Sequence, residues 1–329
     1  MNPRLTLLEL AARHRLDAPT MARLRALAQL DREPAQLGSR LARSALVAGA
    51  ALGGFGLILW VAANWMQWSH LARFALLEGV LLFSIGGAIV RPTWRTACAW
   101  VAFLTLGALL AAVGQTYQTG ADLWELFALW GGLGAVLALG ARSDSLWAGW
   151  VMVAMVAVSL WTQDQGGRLS GWRLSAETVG LYQLAQFAAL VPALWLSAPL
   201  RRLTGAGFWA WWLALALAVP FLVILAVLAL FADSPGHPLL YLQGLALLGV
   251  AALCLASRRG FDLPGLSLMV LGLDVLLVLG AAHFLLEGRR PGDPTAHLFA
   301  LTVIAAGVLG VSVWQLVRLH ATRRQGVGA

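Results

Sequence analysis

The chain contains no lysine and only two cysteines, and just 12% of its 329 residues are charged. Each scarcity excludes something. Cys98 and Cys254 both fall inside apolar runs, which supports neither a disulfide framework nor a zinc site and leaves both as buried small apolar side chains. Soluble domains carry about a quarter charged residues, so this is not an ordinary soluble domain. A net charge of +8 and a pI of 11.0 would suit nucleic acid. However, the 23 basic residues, all arginine, flank apolar runs and form no continuous basic stripe, so no nucleic-acid partner is expected. Phosphate-cradling glycine loops, GxSxG elbows and HExxH pairs are missing as well, and no cofactor is expected.

What the chain has is apolar length. Hydrophobic residues make up 60% of it and the mean hydropathy is +0.77. They come in runs of about 20, each long enough as a helix to cross about 30 Å of hydrocarbon. Backbone groups find no water there, so the spans are helical and the fold class is an all-α polytopic membrane bundle. Ten spans are predicted, over 44–63, 71–90, 96–114, 123–140, 145–162, 179–197, 208–231, 239–257, 266–286 and 296–317. With the N-terminus in the cytoplasm, 18 arginines fall on the cytoplasmic side and five outside: Arg73, Arg168, Arg173, Arg289 and Arg290. That bias predicts both termini in the cytoplasm. Trp60, Trp65, Trp68, Trp124 and Trp161 cluster near the outer ends, where indole prefers the interface.

The organisation divides into a cytosolic helical segment over 1–43, membrane regions over 44–165 and 166–317, and a cytosolic tail over 318–329. Eight arginines precede the first apolar run, so no signal peptide is expected and the first span acts as its own insertion signal. Thr6 and Glu9 have capping-box spacing. Met21, Leu24, Leu27 and Leu30 form an apolar stripe that packs on the first span, lies on the bilayer surface or meets a partner. Spans one to four and seven to ten enter with the same sense, which admits a weak parallel repeat.

Ionisable residues inside spans each need a reason. Glu78, about 10 Å below the outer end of span two, reads as a cation or proton site or as a helix-gluing acid. Asp274, near the middle of span nine, reads as a functional acid or a polar helix contact. Glu125 lies in the first turn of span four, where the helix dipole alone favours a carboxylate. His283, Glu287 and His297 are weak candidates for a metal set suited to Zn or Cu, without the spacing of a known motif. GGFG at 53–56 and GGLG at 131–134 lie inside spans, where glycine usually permits close helix contact.

The segment GQTYQTGADLW at 114–124 is out of keeping with its greasy surroundings. Asp122 is placed to cap span four, and Gly114 and Gly120 allow a tight turn. Gln115, Tyr117 and Gln118 are a surplus of hydrogen-bonding groups that a turn does not require.

This segment, followed by ARSDSLW and preceded by LILWVAANW and LARFALL, resembles the DUF2157 membrane proteins. Members carry a Gly-Gln-x-Tyr segment, a Gly-Asp-like pair, a tryptophan-containing helix and Arg-Ser. Upstream, the match takes in an Ala-Asn-Trp and a following arginine, here Arg73. Gln118 stands where the family often has histidine, and Ala121 separates Gly120 from Asp122. The resemblance covers about residues 1–165; it implies the fold and a bacterial inner-membrane location, and supplies no reaction.

Asn64, Trp65, Arg73, Gln115, Tyr117 and Asp122 all map to the outer side, with Glu78 and Glu125 slightly deeper. The expectation is an outward-facing polar pocket between the first four spans. Arg73 and the amides would hold a small polar or anionic ligand, with Glu78 buried beneath. Two functional classes follow. One is transport or binding of such a solute across the inner membrane. The other is a non-catalytic accessory or assembly subunit, with a protein partner at the periplasmic face or at the N-terminal helices. A membrane enzyme ranks behind both, because two acids and a tyrosine do not supply nucleophile, base and oxyanion donors.

Overall fold

A computed structural model describes residues 13–14, 16–27, 37–64, 66–117, 120–167, 176–231, 237–257, 262–287 and 294–325. Among them there is no strand. The helices are α1 (Ala18–Leu27), α2 (Leu37–Ala63), α3 (His70–Val90), α4 (Arg95–Tyr117), α5 (Leu123–Ala141), α6 (Asp144–Gly167), α7 (Ala176–Trp195), α8 (Arg201–Thr204), α9 (Phe208–Leu230), α10 (His237–Ala256), α11 (Leu263–Glu287) and α12 (Pro294–Gln325). The all-α polytopic bundle expected from the apolar runs is what the chain forms.

Nine of the described helices, α2 to α6 and α9 to α12, are long and apolar enough to cross a membrane. The sixth expected span is not straight. It consists of α7 followed by the short α8, bent by 48°, and makes a tenth span only if the pair crosses as one. Ser197 is extended (φ −65°, ψ 161°) and Pro199 opens a 3-10 turn, so the α-helical ladder stops there. The first span also begins earlier than expected, at Leu37, because its polar start LGSRLAR is compatible with helix and simply continues beyond the hydrocarbon. Thr6, Glu9 and Leu30 lie outside the described residues. Of the stripe on α1, Met21 and Leu24 are half-buried and Leu27 is 80% exposed.

Two helices act as hubs. α9, apolar all round, packs against α6, α7, α10 and α11, and half of its membrane window is buried. α4 carries α2, α3 and α5. By contrast α12 packs extensively only on α11. There the Ser312 hydroxyl donates to the buried Asp274 carboxylate at 2.7 Å, the polar helix contact that the sequence offered for this acid.

The core between the hubs is aromatic, and three of its indoles are bonded across helices. Trp130 Nε1 donates to the Phe103 carbonyl (2.9 Å), Trp150 Nε1 to the Gly131 carbonyl (2.7 Å) and Trp100 Nε1 to the Ser145 hydroxyl (3.1 Å). Their bulk needs space. A Cβ at Gly107 would stand 2.6 Å from the Trp130 ring, and one at Gly149 would stand 2.6 Å from Trp100. The cysteines do not behave as expected: Cys98 is half-buried and Cys254 is exposed on α10, whose inner face is filled by other side chains.

At the end of the bundle that carries Arg91, Arg95, Arg142, Arg201 and Arg202, the turn after α5 locks onto the turn before α9. Arg142 takes a left-handed conformation (φ 50°), and its guanidinium donates to the Arg202 carbonyl. Gly205, also left-handed, sits so close that a Cβ would stand 2.6 Å from that of Arg142. The Asp144 carboxylate accepts from the backbone N–H groups of Gly207 (2.8 Å), Trp209 (3.1 Å) and Ala210 (3.0 Å), capping α9 from another helix. Trp147 Nε1 adds a bond to the Thr204 carbonyl at 2.7 Å. A residue at the start of α6 therefore supplies what the first turn of α9 lacks.

Around α4 the packing is looser. Val61, Leu77 and Ala112 bring α2, α3 and α4 together in a small apolar cluster at the end opposite the arginines. Toward the arginine end a groove of 730 Å³ lies between α2 and α3, floored by α4. A second groove of 360 Å³, lined in part by Arg95, runs on the other side of α3 toward α5.

Candidate functional site

The polar segment and its neighbours lie at the end opposite the arginines, where α3 starts, α4 finishes and α5 starts. Ser69 fixes the entry of α3. It is extended (φ −64°, ψ 155°) and its hydroxyl accepts from Ala72 N–H at 3.3 Å. Arg73 is thereby set in the first turn and only 6% exposed, a cation inside a largely apolar bundle. Its neighbour Phe74 rests against Tyr117 with ring centroids 6.2 Å apart, which ties the start of α3 to the last turn of α4. Tyr117 is otherwise 68% exposed, and Gln115 is exposed too.

Two buried hydrogen-bonding atoms at this end have no partner among the described residues: Thr116 Oγ1 on α4 and Trp124 Nε1 on α5. An unmatched buried polar group costs about 1–3 kcal/mol, so two of them within a turn of a buried arginine's level need an explanation. Neither stands out in the sequence. Thr116 sits between the more conspicuous Gln115 and Tyr117, and Trp124 reads as an interface anchor.

The expected members do not all converge. Asp122 occupies the N-cap position of α5, extended at φ −65° and ψ 149°, but makes no side-chain capping bond. The capping expectation is corrected: the helix start is closed through its backbone, Glu125 N–H donating to the Asp122 carbonyl at 3.0 Å. Gly120 does take the left-handed turn (φ +66°). Glu125 is exposed in the first turn of α5, where the helix dipole accounts for it. Asn64 turns back on its own helix, Nδ2 donating to the Trp60 carbonyl at 2.8 Å. Trp65 and Gln118 lie outside the described residues.

Glu78 is not buried beneath a pocket; it is exposed. The buried face of α3 runs through Arg73, Leu77 and Ser84, and Glu78 comes one residue after Leu77. At about 100° per residue that step carries it out of the bundle. The histidine set lies only partly within the described residues. His283 stands edge-on to Phe231 (5.4 Å, 88°), His297 is half-buried on α12, and the Glu287 side chain lies outside the described residues. Among the described residues no three metal-ligating side chains gather.

The fold and these polar groups define a polytopic α-helical membrane protein with its distinctive side chains at one end. Residues 8–147 match the family described as predicted membrane protein (DUF2157), the family that the Gly-Gln-x-Tyr and Arg-Ser segments resemble. The match ends at Trp147, so α7 to α12 lie beyond it. No curated protein and no solved structure matches the chain.

Proposed function

We propose that this protein binds a small polar or anionic solute where α3, α4 and α5 meet, as the first step of its transport across a bacterial inner membrane, with that end facing outward. One observation carries the reading: a buried guanidinium, Arg73, shares this end with a buried hydroxyl and a buried indole N–H that have no partner among the described residues. A solute with oxygen acceptors would satisfy the indole, and a negative charge would suit Arg73. Gln115 and Tyr117, exposed at the rim, are the first groups such a solute would meet. The arginine bias, with five on this side and 18 on the other by the ten-span count, supports the outward orientation and cytoplasmic termini.

The test is binding of small carboxylates and phosphate by the purified protein, read as a thermal shift, and uptake in liposomes. Arg73→Ala and Gln115→Ala should abolish both, and Trp124→Phe should weaken binding about tenfold through one lost hydrogen bond. Unchanged shifts and uptake in all three variants would remove the site.

A second reading, an accessory or assembly subunit, draws on the exposed Leu27 of the α1 stripe and on α12, none of whose membrane window is buried. Cross-linking at α12 followed by co-purification separates the two, since a transporter acts without a fixed partner.

A further inference from the structure

The groove between α2 and α3 presents a shape that nothing in the chain fills. Its walls are Gly49 on α2 and Gly79 and Phe83 on α3, its floor is Cys98 and Val101 on α4, and Trp94 stands at its arginine end. A Cβ at Gly49 or at Gly79 would meet nothing within 4 Å. Glycine in a helix interior costs about 1 kcal/mol relative to alanine, and neither of these glycines recovers it through helix contact.

Along α3 the lining runs from Ala75 to Ser84, about 14 Å at the helical rise. That is about one leaflet, half of a hydrocarbon core of about 30 Å. At its other end Leu76, which also lines it, packs on the Val61, Leu77 and Ala112 cluster. A helix crossing the whole membrane would therefore not fit along it, whereas a fatty acyl chain would. At the open end the Arg91 guanidinium lies 5.8 Å from the centroid of the Trp94 ring. Arg43 lies two residues before Ala45, where the lining begins on α2. Both arginines are exposed, and neither meets a carboxylate among the described residues.

We propose that this groove is a binding site for an anionic phospholipid of the leaflet at the arginine end, with one acyl chain between α2 and α3 and the headgroup phosphate at Arg91 and Arg43. The apolar walls recognise the chain, the two cations recognise the charge, and Trp94 spans the boundary between them.

The experiment uses the full chain in a neutral detergent, with lipid binding read by native mass spectrometry. The probes are phosphatidylglycerol, phosphatidylcholine with the same acyl chains, and inorganic phosphate. Phosphatidylglycerol should bind at least tenfold more tightly than phosphatidylcholine. The Arg43→Gln, Arg91→Gln double variant should erase that preference, about fivefold per arginine. Gly49→Leu with Gly79→Leu should fill the groove and weaken both lipids more than tenfold, whereas Gly132→Leu, on α5 and also facing open space, should change neither. Equal binding of the two lipids by the unaltered chain overturns the proposal. So does undiminished phosphatidylglycerol binding to the filled groove, or its displacement by inorganic phosphate, which would mark a site for the free anion. If the leucine pair lowers the melting temperature, the exposed arginine pair decides alone.

Discussion

Two helix triplets in this chain share a neighbour order and differ in how they close. In one, α2 and α3 rest on α4, which also meets α5; in the other, α9 and α10 rest on α11, which also meets α12. The correspondence is the one that the weak parallel repeat would produce. In the second triplet the first two helices press together. A Cβ at Gly244 on α10 would stand 2.9 Å from that of Ala226 on α9. The third helix comes as near: a Cβ at Gly272 on α11 would stand 2.8 Å from the side chain of Val219 on α9. In the first triplet Gly49 and Gly79 face open space and a 730 Å³ groove remains. The same residue type thus marks close approach in one place and a void in the other. What decides is the neighbouring helix, so glycine in a membrane span predicts an absence of bulk and does not say what occupies it.

Four substitutions sharpen the contrast. The largest effect should come where α6 is fastened to the second triplet: Asp144→Ala leaves three N–H groups of the α9 region without their charged acceptor. It should cost about 3 kcal/mol, seen as a lower melting temperature in detergent. Melting unchanged within error would mean that the turn holds without this bond. Next, Gly244→Leu should overpack the closed pair by about 2 kcal/mol, while Gly79→Leu in the open pair stays within about 0.5 kcal/mol. Equal losses would end the distinction between the triplets. The smallest is Ser312→Ala, which removes the hydroxyl from Asp274 and should cost about 1 kcal/mol in chemical denaturation while leaving lipid binding at the α2/α3 groove unaltered.

Much of the fold was legible because bilayer physics is severe: runs such as 208–231 have one option, and α9 takes it. The bend at Ser197 was less visible, since the run around it is apolar enough and only Pro192 and Pro199 hint at a break. At the candidate site, the sequence put Arg73 and Tyr117 at one end of the bundle, and the contact of Phe74 with Tyr117 agrees with that placement. The sequence could not tell inside from outside at one-residue resolution, which is why Glu78 was misplaced while Leu77 is buried. Asp122 matched a local capping pattern and does not use it. Asp144, which does cap a helix, serves one more than 60 residues away, and no local pattern reports that.

The family match stops at Trp147, the residue whose indole is bonded to the Thr204 carbonyl. Ancestry that can be recognised and architecture that can stand alone therefore end in different places. An excised fragment cut at that point would carry half of a fastening, with the carboxylate and the indole exposed and their complements left on the piece removed. Whatever the stretch beyond 147 does, it does so clasped to the terminal turn of its better-recognised neighbour.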